Sequence, residues 1–197
     1  MTIQLNPTAD SYIVSSPPPA QSQNFGSQAT LICKGTAETR TLIYFDLSTL
    51  GTSVSQALLE LNVESLSAPC SINIYNLTES WVENGVTWQK RDFLINLNWQ
   101  TVGGTNDGIK RLPSDFNINS TGKIQLDITA YVNLILSGTS NNGILIRNLT
   151  TGIQAVFTSR EGAIVDNRPK LIIPSPPYTP SNDFNGAFNN GFNRNMI

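Results

Sequence analysis

The 197-residue chain has no histidine, so its capacity for chemistry rests on carboxylates and aromatic rings. Without imidazole there is no Ser-His-Asp triad, no Cys-His pair and no ordinary zinc site. Carboxylate catalysis needs two acids held about 5–10 Å apart across a cleft. Glu79 and Glu83 flank Trp81, while Asp127, Glu161 and Asp166 are scattered, and none of these forms a recognisable pair. Arg160 with Glu161, and Arg168 with Asp166, read as ion pairs at strand ends. Asn106-Asp107-Gly108 begins like a calcium loop, but no spaced series of acids follows it. It reads as a hairpin turn. These residues predict a protein that is not an enzyme and uses no cofactor or metal.

The aromatic residues offer a different kind of chemistry, since flat rings flanked by hydrogen-bonding groups suit pyranose rings. Trp81 and Trp88 lie in the run Trp81-Val82-Glu83-Asn84-Gly85-Val86-Thr87-Trp88, where packing is the first reading, because buried aromatics dominate core energetics. Trp99 precedes the Gly103-Gly104 turn and is expected to be the exposed ring. Trp99, with Tyr75 and Trp88, makes up the candidate set of ring platforms.

Charge and cysteine usage narrow the partners. Charged residues are 13% of the chain, about half the usual level of roughly 25%. The net charge of -2 offers no basic face to nucleic acid. No apolar run approaches the ~20 residues of a membrane span. The segment from Met1 to Pro7 has neither the basic nor the apolar region of a secretory leader. Expected is an extracellular, cell-surface or spore-surface location reached without a recognisable signal peptide. By alternation Cys33 shares the face of Leu31, and Cys70 shares that of Ile72 and Ile74. The two can bridge, which would stabilise the fold by a few kcal/mol, or remain as buried thiols.

The elements that must position these residues are short β segments. Candidates are 10–14, 29–34, 40–46, 54–64, 71–77, 122–127, 143–148, 154–160 and 168–173, separated by Gly, Pro, Asn and Ser. In the fourth, Ala57, Leu59, Leu61 and Val63 alternate with Leu58, Glu60 and Asn62, the period of a half-buried strand. One helix is predicted over about 128–137. It places Ile128, Val132, Ile135 and Leu136 on one face, with Asp127 or Thr129 at its start and Gly138 as a stop. The expected fold is all-β, a jelly-roll β-sandwich over 1–173. Ser15-Ser16-Pro17-Pro18-Pro19 is expected to be an extended, linker-like turn.

A Pro-rich spacer and an Asn/Gly/Phe tail fill 174–197. Phe184, Phe188 and Phe192 recur every four residues, so an extended chain puts them on one face, with Tyr178 upstream. Such a tail is either disordered or a sticky strand that adds to a neighbouring copy.

Several stretches in order resemble the DNRLRE-type β-sandwich domain, which is related to disaggregatase repeats and to a carbohydrate-binding module family. They are Ala9-Asp10-Ser11-Tyr12-Ile13, Asn24-Phe25-Gly26, Thr41 to Leu47, Ala57 to Leu61 and Trp81 to Trp88. Leu126 to Thr129, Asn141 to Ile144, Phe157-Thr158-Ser159-Arg160-Glu161 and Arg168 to Leu171 complete the set, which covers about 1–173. Two positions depart from the pattern: Ile135 stands where a helix Trp is usual, and Gln89-Lys90-Arg91-Asp92 where a Pro commonly follows. The resemblance implies a non-catalytic sandwich on secreted or surface proteins. Two functions fit. One is a structural subunit of a surface fibre or coat that associates with copies of itself through its terminal arms. The other is a module that binds cell-surface or matrix polysaccharide; that the set of Trp99, Tyr75 and Trp88 would be carbohydrate-binding is what the resemblance implies.

Overall fold

The computed structural model describes residues 2–36 and 38–174. Strands β1 (Ile3–Leu5), β2 (Ala9–Val14), β3 (Thr30–Lys34), β4 (Thr39–Tyr44), β5 (Leu58–Leu66) and β6 (Cys70–Asn76) fill the first part. The hairpin strands β7 (Lys90–Asp92) and β8 (Leu97–Asn98) follow, then β9 (Phe116–Ile118) and β10 (Gly122–Asp127). Helix α2 (Thr129–Leu136), β11 (Ile144–Asn148), β12 (Gln154–Thr158) and β13 (Lys170–Ile173) complete the order; a one-turn helix α1 (Pro18–Gln21) lies between β2 and β3.

All sheet pairings are antiparallel. In one layer β5 holds β10 along one edge, while its other edge is shared by β13 and β12. In the other layer β4 lies between β2 and β11, and β6 follows β11. The layers join at a corner, where β12 pairs with β3 and β3 meets β4 at Lys34↔Thr39. Leu59, Leu61, Val63 and Phe157 from the first layer pack with Ile43, Ile72, Ile74, Ile144 and Ile146 from the second. The fold is therefore all-β and sandwich-like.

The two layers differ in what their outer faces do. Along β5 the residues alternate, with Leu59, Leu61 and Val63 buried and Glu60 and Asn62 half-buried. Along β4, β6 and β11 there is no such alternation, and Leu42-Ile43, Ile74-Tyr75 and Ile144-Leu145-Ile146 are buried in succession. The cause is a second apolar cluster on the outer face of this layer, formed by Ile13, Leu42, Tyr75, Leu77, Val86, Trp99 and Leu145. Residues 77–105, which leave the end of β6, supply its cover. Gly103 and Gly104, with φ of 86° and 89°, let that cover lie flat. A Cβ on Gly104 would stand 2.7 Å from Leu145, and one on Gly103 2.7 Å from Trp88.

The predicted strand 54–64 starts only at Leu58, because α2 captures the backbone before it. Asn133 accepts from Val54 N at 2.8 Å and donates to Val54 O at 3.0 Å, and Thr129 Oγ1 accepts from Ala57 N at 2.9 Å. Asp127 in turn accepts from Thr129 N at 2.9 Å, just before the helix. Ile128, Val132 and Ile135 face the core as expected, joined by Tyr131. Pro18 and Pro19 form the first turn of α1 rather than an extended segment, since proline fits an initial turn where its missing N–H is not needed. β1, β7, β8 and β9 are two or three residues long, too short to show a period.

Cys33 and Cys70 are both buried and both free, so the bridge is not formed. Each serves as a small apolar group in the inter-layer core. The Cys33 thiol lies 3.5 Å from Ile146 O. Burial pushes both thiols above the ordinary thiol range, which makes them unreactive. Native protein is therefore expected to be silent toward a thiol reagent, and unfolded protein to titrate two thiols per chain without prior reduction. A melting temperature that falls on adding reductant would contradict this.

Candidate functional site

The rings singled out by the sequence are engaged by the protein itself. Trp99 is 4% exposed, not an open platform, and its Nε1 donates to Thr87 O at 3.0 Å. The Gly103-Gly104 segment behind it is buried, so the turn that implied a surface is part of the cover over Leu145. Tyr75 is 6% exposed, with the Arg147 guanidinium 5.6 Å from its ring centre. Trp88 is half-buried between Gly103 at its edge and Arg40, whose guanidinium lies 4.7 Å above the ring. Arg40 is itself fixed by Gly103 O at 2.6 Å and by Glu38 at 2.8 Å. Tyr178, Phe184, Phe188 and Phe192 lie outside the described residues.

Trp81 occupies a different setting. It packs against the outer cluster on one side and lines a pocket of about 170 Å³ on the other. Tyr44, Ser80, Asn141 and Asn142 are the other main walls. The indole Nε1 donates to Asn142 O at 3.0 Å, which fixes the ring plane. Asn141 is held by Tyr131 Oη at 3.1 Å and by Phe45 O at 2.8 Å. Tyr44 and Asn141 also border a broader depression of about 570 Å³ that runs toward Ser48, Thr52 and Thr139. The two hollows share Tyr44 and Asn141 as walls; ring, amide and hydroxyl groups line them, and Leu47, Leu50, Ile135 and Leu136 add aliphatic surface to the broader one. Asp46 is the charged residue on that lining, and the Ser48 N–H holds its carboxyl below the usual carboxylate range.

Four of the stretches that carried the resemblance meet behind these hollows. Asp10, beside the pocket residue Ala9, comes together with Glu83 and Glu161; one carboxylate oxygen of each lies within 4.8 Å of the others. Arg160 grips both oxygens of Glu83 at 2.9 and 2.7 Å, and Asp10 N donates to Glu83 at 2.8 Å. The Asn24 side chain donates to Glu83 O at 2.6 Å and Val86 O at 2.8 Å. A Cβ on Gly26 would sit 2.3 Å from Glu83 O, so only glycine allows that approach. Asp10 is 1% exposed, and desolvation pushes its carboxyl up to about 8, although the Arg160 N–H opposes the shift. Sequence reading missed this cluster because its members lie far apart along the chain.

The remaining acids are engaged singly. Glu79 accepts from Gln100 N at 2.9 Å and faces Arg91 at 3.7 Å. Arg160 lies 3.5 Å from Glu161, as expected of a pair. The expected partner of Arg168 is corrected: Asp166 binds Lys123 at 2.9 Å and Lys170 at 2.8 Å, while Arg168 donates to Gly162 O at 2.8 Å. Asn106 and Asp107 each accept from the N–H two residues on, at 3.0 Å, and Asp107 pairs with Arg111. That segment is a pair of local turns rather than a hairpin.

The chain matches the model of carbohydrate-binding module family 96 over residues 1–175, and it belongs to that family. No curated protein matches it. The match supports the carbohydrate-binding-module side of the resemblance and does not extend to the narrower DNRLRE or disaggregatase naming.

Trp99 is expected to act through packing. Trp99→Ala should cost about 3–5 kcal/mol and lower the melting temperature by roughly 6–20 °C, read by calorimetry. An unchanged melting temperature would show that the indole is not part of the outer cluster.

Proposed function

We propose that this member of carbohydrate-binding module family 96 binds a polysaccharide chain along the groove walled by Trp81 and Tyr44. The observation that carries the reading is the convergence of those two rings with Asn141 and Asn142 on one pocket, which shares Tyr44 and Asn141 with a broader depression beside it. A sugar has apolar C–H faces and an equatorial rim of hydroxyls. Aromatic walls take the former, and amide and Ser/Thr groups exchange hydrogen bonds with the latter. The groups are held before any ligand arrives, by the Trp81–Asn142 and Asn141–Tyr131 hydrogen bonds. Little rotamer freedom is left to lose on binding.

The lining also bears on which polysaccharide. A lining of ring, aliphatic, amide and hydroxyl surface with one carboxylate suits a neutral glycan better than an acidic one, which would be repelled by Asp46. Membership of a family of binding modules supports a non-catalytic role acting on glycans outside the cell or at its surface. Among the described residues no helix is long and apolar enough to cross a membrane. The reading of a self-associating structural subunit rests on the low charge of the chain and on the tail with Tyr178, Phe184, Phe188 and Phe192, which lies outside the described residues.

Trp99, Trp88 and Tyr75 serve this proposal as supports: they fix the cover on which Trp81 is mounted. Affinity electrophoresis against a panel of neutral and acidic polysaccharides, followed by calorimetry on any retained glycan, tests the assignment. Tyr44→Ala and Ser80→Trp, the latter filling the pocket from an exposed position, should each weaken binding at least tenfold, about 1.4 kcal/mol. Retention by no polysaccharide, or full binding by Ser80→Trp, would overturn it.

A further inference from the structure

The corner formed by Asp10, Glu83 and Glu161 holds more negative charge than the protein around it relieves. Among the described residues Arg160 is the one basic side chain paired with these acids: it grips Glu83 and lies 3.5 Å from Glu161, so a single cation is shared by two acids and Asp10 has none. Asp10 is almost completely buried. One of its oxygens, Oδ2, accepts from Arg160 N at 2.7 Å, while the other, Oδ1, has no hydrogen-bond donor at all. One oxygen of Glu161 and one of Glu83 lie within 4.8 Å of an Asp10 oxygen, so acceptor faces acceptor. A buried carboxylate oxygen that meets only other carboxylates costs free energy unless something positive stands between them.

We propose that Asp10, Glu83 and Glu161 form a binding site for a hard divalent cation, calcium by chemistry. With all three carboxylates ionised, as a bound cation displacing the Asp10 proton would leave them, one guanidinium leaves two negative charges, the charge of one such ion. Every donor is oxygen, and the chain contains no histidine to favour a transition metal. The carboxylates come from β2, from the turn after Trp81 and from the turn after β12, segments with no strand pairing to one another. Glu83 and Glu161 keep 17% and 30% of their side chains exposed, which leaves an entry path and room for water on the ion. An ion there clamps the Trp81-bearing segment to β2. The site stands whether or not Trp81 is a wall of a glycan groove.

Calorimetric titration of the full chain with calcium chloride, after stripping with EDTA, tests this. The wild type should bind one calcium ion per chain and melt at a higher temperature with calcium than in EDTA. Glu161→Gln, on a partly exposed residue, and Asp10→Asn should fold in EDTA by circular dichroism. Both should lose the calcium-dependent melting shift and at least tenfold in affinity. Asp115→Asn, at an exposed carboxylate paired with Lys110, should respond like the wild type. No heat and no melting shift at millimolar calcium, or equal responses from wild type and Glu161→Gln, would overturn the proposal.

Discussion

Burial of the β4, β6 and β11 layer on both faces is the constraint from which the rest of the structure follows. A sandwich needs only one apolar face per layer, and β5 obeys that rule. Leu42, Tyr75 and Leu145 point the other way and would leave an apolar sheet face in water. The 77–105 excursion exists to cover them, and it brings all three tryptophans to this side of the molecule. Burying Leu42, Leu145 and Leu77, each 0% exposed, contributes about 1.5–3 kcal/mol apiece. The cover is therefore held as firmly as a core element, despite having little regular structure of its own.

The proposed binding surfaces sit at the margins of that cover. Trp99 lies under it and Trp88 is clasped within it by Arg40 and Gly103. Trp81 lies where the cover meets Tyr44 and the segment after α2, and there a ring can be fixed in place and still face a hollow. On the other side of the same segment, Asn24, Gly26 and Arg160 hold the Glu83 turn against β2 and the turn after β12. The groove and the carboxylate corner are thus two consequences of one fastening. Low overall charge fits a surface whose polar work is done by amides and hydroxyls, and it makes the concentration of three acids at one corner more conspicuous.

The β segments were legible because each is an apolar run between Gly, Pro and Asn, and the helix because Ile128, Val132 and Ile135 repeat at its period. The double burial was not read from the sequence, although runs such as Gly143-Ile144-Leu145-Ile146 do not alternate, which is the mark of a strand covered on both faces. What covered them was not visible, since 77–105 has no period. That is why Trp99 reads as exposed beside a glycine pair when those glycines are in fact pressed against Leu145 and Trp88. The Trp81 pocket and the Asp10–Glu83–Glu161 corner each draw on segments distant in sequence. Only the ordered stretches of the family resemblance hinted that they belong together.

The central claim is that Trp81, and not Trp99 or Trp88, meets the ligand. Each of the three indoles gives its own N–H resonance in a two-dimensional proton–nitrogen spectrum, assigned by single Trp→Phe variants. Titration with an oligosaccharide of the retained polysaccharide should move the Trp81 resonance while those of Trp99 and Trp88 stay in place. Movement of Trp99 or Trp88 with Trp81 unperturbed would contradict the account.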